Sequence, residues 1–119
     1  MSQSNKQGKI EISPHAIATI AGDAVLRCYG VVGVANKNLI DGLADLLQPD
    51  RWVRGVEVQV RGEQVIVDLY VIVQYGTRIS EVAQGVMSNV KYALEQALGM
   101  PIAAVNVHVQ GLRIPNDAE

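Results

Sequence analysis

The chain has no phenylalanine, a single tryptophan and a single cysteine. One cysteine excludes an internal disulfide framework, and two histidines leave a Cys/His zinc site short of ligands. An excess of charge is missing too: ten Lys and Arg against twelve Asp and Glu give a net charge of −2. A weakly acidic chain is not built around electrostatic capture of a polyanion, so nucleic acid is not the expected partner. No apolar run reaches the roughly 18 residues a membrane span needs, and the polar start over residues 1–7 lacks the apolar centre of a signal peptide. No Walker loop, dinucleotide fingerprint or nucleophile elbow is present. These absences leave a soluble cytoplasmic domain as the expectation, with no evident active site, cofactor or metal.

What is present is aliphatic. The 119 residues suffice for one domain, and 49% of them are hydrophobic against 18% charged, so Val, Ile, Leu and Ala must build the core. Residues 1–8 are polar and read as a disordered tail, 9–114 as a single domain, and 115–119 as a second tail. Ile10 and Ile12 alternate with Lys9 and Glu11 as in a short strand. Ser13-Pro14 then starts a helix with Ile17, Ile20, Ala21, Ala24, Val25 and Cys28 on one side and Gly30 as its stop. Residues 31–35 form a short extended piece, and Leu39, Leu43, Leu46 and Leu47 suggest a short helix over 38–48, ended by Pro49.

The middle of the chain is clearest. Val56, Val58 and Val60 alternate with polar residues, as do Val65, Val67, Leu69, Val71 and Val73 in the next run. Between them Gly62-Glu63 is a two-residue loop with glycine first, as a type II′ hairpin prefers. That loop sets Val60 opposite Val65, Val58 opposite Val67 and Val56 opposite Leu69, so turn and pattern agree independently. Ser80 is placed to cap a second helix carrying Val82, Val86, Val90 and Leu94, which Gly99 and Pro101 end. A last strand presents Val105, Val107 and Val109 on one face. The order β-α-β-β-α-β gives an α+β fold: a two-layer sandwich, with a mostly antiparallel sheet of about four strands and two main helices on one face. Val58, Val67, Leu69 and Val107 should share a buried layer with Ile17, Ile20, Val86 and Val90.

Four constellations invite a functional reading. Gly30-Val31-Val32-Gly33 has the spacing of the GXXG loop of KH-type RNA-binding domains, but two valines offer a phosphate neither charge nor a hydrogen bond. Cys28 with His15 or His108 has the residue types of a nucleophile and base, yet Cys28 lies on an apolar stripe where a thiol behaves as a small buried hydrophobe. The hairpin register puts Glu57 opposite Asp68, and His108 lies on the non-valine side of its own strand, a set suited to a metal or to acid–base work. Arg54, Arg61 or Arg113 can equally neutralise that pair as a surface ion cluster. Arg51, Arg54 and Arg61 form a basic patch offset by Asp50, Glu57 and Glu63.

The second face of the sheet is the candidate contact surface. Its strand positions read Ile66, Asp68, Tyr70, Ile72 and Gln74, and Leu112 and Ile114 fall in the phase of His108. Ile66, Tyr70, Ile72, Leu112 and Ile114 then make an apolar patch, which marks either a contact with another molecule or the seat of the 38–48 helix folding over it.

Several stretches carry a resemblance, in order and spacing, from about residue 8 to 112. They are Gly8-Lys9-Ile10-Glu11-Ile12-Ser13, Ile17-Ala18-Thr19-Ile20-Ala21-Gly22, Tyr29-Gly30-Val31-Val32-Gly33-Val34, Asp41-Gly42-Leu43-Ala44-Asp45-Leu46-Leu47 and Gly55-Val56-Glu57-Val58. The strongest are the run from Val67 to Gly76 and Val105-Asn106-Val107-His108-Val109-Gln110-Gly111. Together they resemble the alkaline-shock / Gls-type envelope stress response family of bacteria. Cys28-Tyr29 before Gly30 departs from the acidic or small residue its pattern expects. The resemblance implies a non-enzymatic cytoplasmic protein whose partners are further copies of itself and a membrane-anchored protein that holds it at the inner face of the membrane. A KH-like nucleic-acid binder is the alternative, and an enzyme using the Glu57/Asp68 face is a third.

Overall fold

A computed structural model describes residues 2–5, 7–35, 52–53 and 55–114. The elements are β1 (Ser2–Asn5), β2 (Gly8–Glu11), α1 (Pro14–Leu26), β3 (Val31–Val34), β4 (Trp52–Val53), β5 (Val56–Arg61), β6 (Gln64–Gln74), α2 (Ile79–Leu98) and β7 (Ala104–Arg113). The helix expected over 38–48 lies outside the described residues.

β6 is the spine of a five-stranded sheet. Along one side runs β7, parallel to it across the α2 crossover. Along the other, β5 pairs with its first half and β3 with its second, both antiparallel, and β4 flanks β5. The β5–β6 register is the expected one: Val60 faces Val65, Val58 faces Val67, Val56 faces Leu69, and Glu57 faces Asp68. Gly62 holds φ +62°, the positive angle its place in the loop demands.

The first strand departs from expectation. β2 does not enter the main sheet; it pairs with β1 in a separate two-stranded ribbon, Ser2 opposite Glu11 and Asn5 opposite Gly8. Part of the segment read as a disordered tail is therefore a strand. Polar composition measures what side chains can give a core, whereas a ribbon is held by main-chain pairing. Ile10 is 53% exposed, so the alternation seen there marks a strand without a buried face.

Both helices cover one side of the sheet. Ser13 accepts a hydrogen bond from the Ala16 N–H at 3.1 Å and caps α1. α2 begins at Ile79, two residues ahead of expectation, with Arg78 at its cap and no side-chain capping bond, so Ser80 lies inside the first turn. Gly99 ends α2 in the left-handed conformation at φ +71°. Ile17, Val25, Leu69, Val86, Val90 and Leu94 are fully buried, each worth roughly 1.5–3 kcal/mol in removed apolar surface. Ile20 and Val107 pack against this core while remaining half-buried. Gly55, at φ +75°, lets the start of β5 approach Tyr70: a Cβ there would stand 2.9 Å from the Tyr70 carbonyl oxygen.

Candidate functional site

Because successive side chains of a strand point to opposite faces, burying the odd positions of β6 under the helices sends its even positions to the outer face. The pairing of three strands then builds rows across that face. Glu57 of β5, Asp68 of β6 and Asn106 of β7 form one, and Tyr70 with His108 forms the next.

Asp68 is the centre. It is 8% exposed, although it lies on the side away from the helices. Its Oδ1 accepts a hydrogen bond from Asn106 Nδ2 at 3.1 Å and lies 3.0 Å from His108 Nε2. A carboxylate only accepts, so ionised Asp68 selects the imidazole form with its proton on Nε2. The His108 ring stacks on Tyr70, with centroids 4.5 Å apart and planes 11° from parallel. Burial, then the negative charges of Asp68 and Glu57, push the Tyr70 phenol above its ordinary value. Two donors from β7 compensate Asp68 in a ladder that sets Glu57 directly opposite it.

The structure thus brings together Asp68 and His108 of the expected Glu57/Asp68/His108 set, with Glu57 alongside, and adds Asn106 and Tyr70, whose roles the sequence reading missed. The visible signal was that Asn106 shares the phase of His108; the missing quantity was the β6–β7 register. Among the described residues, no three His, Cys, Asp or Glu side chains are disposed to hold a metal ion.

The expected contact surface divides. Ile66, Tyr70 and Ile72 are on the outer face, each half-buried. Leu112 is not: the register shifts by one between Val71/Val109 and Ile72/Gly111, so Gly111 takes the place beside Ile72 and Leu112 stands opposite Val73, an inward position. Leu112 accordingly lines a small cavity with Tyr75, Thr77 and Ile79 on the helix side. Ile114 lies past the end of β7 and is 69% exposed. A bulge inserts one residue, and with a side-chain period of two that reverses every later position.

The other constellations come apart. Cys28 is buried at the end of α1, its thiol donating to the Ala24 carbonyl at 3.5 Å and accepting from Asn89 Nδ2 at 3.9 Å. Burial pushes the thiol up, with Asn89 partly opposing. His15 is about 20 Å away along the helix, and His108 is on the opposite face of the sheet, so no Cys–His pair forms. Gly30-Val31-Val32-Gly33 is a turn running directly into β3, with Val31 paired to Val73, so it presents no open loop to a phosphate. Arg61 bonds the Gln59 side chain, while Arg51 and Arg54 lie outside the described residues.

An α+β sandwich with both helices on one side and a satisfied polar–aromatic cluster on the other defines a small domain whose distinctive chemistry sits on an open sheet face. The chain belongs to the Asp23 family, described as having a cell envelope-related function, whose model matches residues 2–114 (the numeral belongs to the family name). It is 49% identical over 112 residues to the protein YloU of Bacillus subtilis, covering 93% of each chain. It is 38% identical over 110 residues to the protein Spy1614 of Streptococcus pyogenes, covering 92% of this chain and 91% of that one. A stress response regulator, the gls24 homolog of Streptococcus pyogenes, is 27% identical over 114 residues, 95% of this chain and 63% of its own. Among the described residues, no helix is long and apolar enough to cross a membrane.

Proposed function

We propose that the chain is a non-enzymatic interaction module of the envelope stress response, acting in the cytoplasm, that assembles with further copies of itself and meets a membrane-anchored partner. Its outer sheet face is the docking surface. One observation carries this reading: Ile66 and Tyr70 flank, and Ile72 extends, a row on β6 centred on a buried Asp68 whose charge is already met by Asn106 and His108. Covering an ionised carboxylate normally strands a charge, but here its partners come from within the chain, so another protein can seal the face without supplying them. Tyrosine in such a setting is a frequent anchor of protein contacts. The envelope-related family and the stress-regulator relative support the cellular context.

The double substitution Tyr70→Glu with Ile72→Lys tests it. The expected result is a smaller species in sedimentation with an unchanged circular dichroism spectrum, and loss of the partner that wild type retains in a pull-down from native membranes. A wild-type chain that stays monomeric at high concentration and retains no membrane protein would overturn the reading. Sub-micromolar binding of a labelled RNA pool at physiological salt, with the steep salt dependence of phosphate contacts, would replace it with the nucleic-acid alternative.

A further inference from the structure

We propose that the free edge of β7 is where a second copy of this chain joins, by antiparallel pairing about a two-fold axis through Val107, so that two sheets become one. The inference rests on the self-assembly part of the proposed function and adds to its outer-face contact a second one, at the sheet edge, with its register.

The main chain points to it first. Tyr70 donates its N–H to the Gly55 carbonyl and accepts from the Ala35 N–H, both at 2.8 Å, and Gln74 donates to the Gly30 carbonyl at 2.9 Å. Even residues of β6 therefore bond toward β5 and β3, and its odd residues turn toward β7. In a parallel pair, the residue opposite an even position of β6 bridges the two odd residues flanking it. Asn106 and His108 stand opposite Asp68 and Tyr70, so they make those bonds. The N–H and C=O groups of Val105, Val107 and Val109 consequently point away from β6. Among the described residues, no strand lies beyond β7 to receive them.

Edges of this kind are normally blunted by proline, lysine, inward charge or a bulge. Residues 104–109 contain no proline, lysine, arginine or carboxylate. The bulge and Arg113 come only after Val109. The open stretch is alternating, β-branched and uncharged, as strand-pairing segments are.

The side chains select the register and the occupant. An axis through Val107 sets Val107 against its own copy and Val105 against Val109 on the helix side, and Asn106 against His108 on the outer side. Val105 is 4% exposed, but Val107 and Val109 pack against the core and remain half-buried, so pairing covers apolar surface that the core leaves open. An amide opposite an imidazole opposes no like charges. Moving the axis to Asn106 sets Val109 against the smaller Ala103, and moving it to His108 runs the bulge at Gln110 into Asn106. The edge thus complements itself, as a two-fold contact requires. The two Asp68–His108–Tyr70 clusters then lie side by side on one continuous outer face.

Sedimentation across a dilution series of the full chain tests this. Val107→Pro removes an outward N–H that meets no strand among the described residues, a position where an edge strand tolerates proline. Dimerisation should weaken about tenfold or more, since two main-chain hydrogen bonds vanish per dimer. A cross-link covers the case where the proline variant fails to fold. Val107→Cys in a Cys28→Ser background puts two thiols on the axis, with Cα atoms about 5.5 Å apart, within disulfide reach. Oxidation should yield a covalent dimer, and Gln59→Cys in the same background should not. Absence of that cross-link, or unchanged dimerisation in a folded Val107→Pro variant, overturns the β7 edge. If Tyr70→Glu with Ile72→Lys then still dissociates the assembly, the outer-face reading stands alone; a wild-type chain monomeric at every concentration overturns both.

Discussion

The two faces of β6 are made by alternate residues of one eleven-residue strand, yet they obey different rules. Inward, Val65, Val67, Leu69, Val71 and Val73 are fully buried and differ only in shape. Their requirement is volume and apolarity, which many aliphatic combinations meet. Outward, Asp68 depends on the particular donors Asn106 and His108, and His108 on the ring of Tyr70. No aliphatic exchange preserves that arrangement. The inner face therefore explains why the domain folds, and the outer face is where its individuality lies.

Three measurements press on this contrast. The largest effect belongs inside: Leu69→Ala should cost about 2–5 kcal/mol in denaturant unfolding, as truncation of a fully buried leucine does. A loss below about 0.5 kcal/mol would mean that the valine side is not the core.

A smaller loss belongs to the outer cluster. Asp68→Ala leaves the Asn106 amide and the His108 ring without their shared acceptor, for a cost of about 1–3 kcal/mol. Asp68→Asn keeps an acceptor oxygen and should recover part of it. Equal stability of Asp68→Ala and wild type would reduce the cluster to an ordinary solvated surface pair.

The smallest effect is in pH dependence. The Tyr70 phenol is held above its ordinary value by burial and by the Asp68 and Glu57 charges, so the folded state favours the protonated phenol. Folding therefore gains a contribution that is fully present below the unfolded tyrosine value of about 10 and is lost as pH rises through the folded value. Ultraviolet titration of wild type against Tyr70→Phe should show one phenol ionising late. Asp68→Asn should shift that ionisation back toward the ordinary value, and no shift would remove Asp68 as a cause.

Much of the inner face was legible in the sequence. The Val56–Leu69, Val58–Val67 and Val60–Val65 pairs follow from alternation on both sides of a two-residue loop whose first member is glycine. Burial of Cys28 followed from the apolar stripe that Ile17, Ala21 and Val25 begin, although α1 itself ends at Leu26. The outer cluster was half legible: Glu57 opposite Asp68 came from the same register, but Asn106 and the Tyr70–His108 stack did not. The ribbon of β1 and β2 escaped because main-chain pairing leaves no mark in side-chain composition.

The sequence by itself determined which residues share a face within each strand and which strands are joined by a tight turn, because alternation and turn chemistry act between near neighbours in the chain. Only the tertiary structure decided how β7 lies against β6. A parallel neighbour has no turn to set its register; the packing of α2 across the sheet sets it instead, and with it the meeting of Asp68, Asn106, His108 and Tyr70. The bulge that turns Leu112 to the helix side, where it stays 45% exposed, belongs to the same class, since an extra residue in one strand has meaning only once a second strand lies beside it.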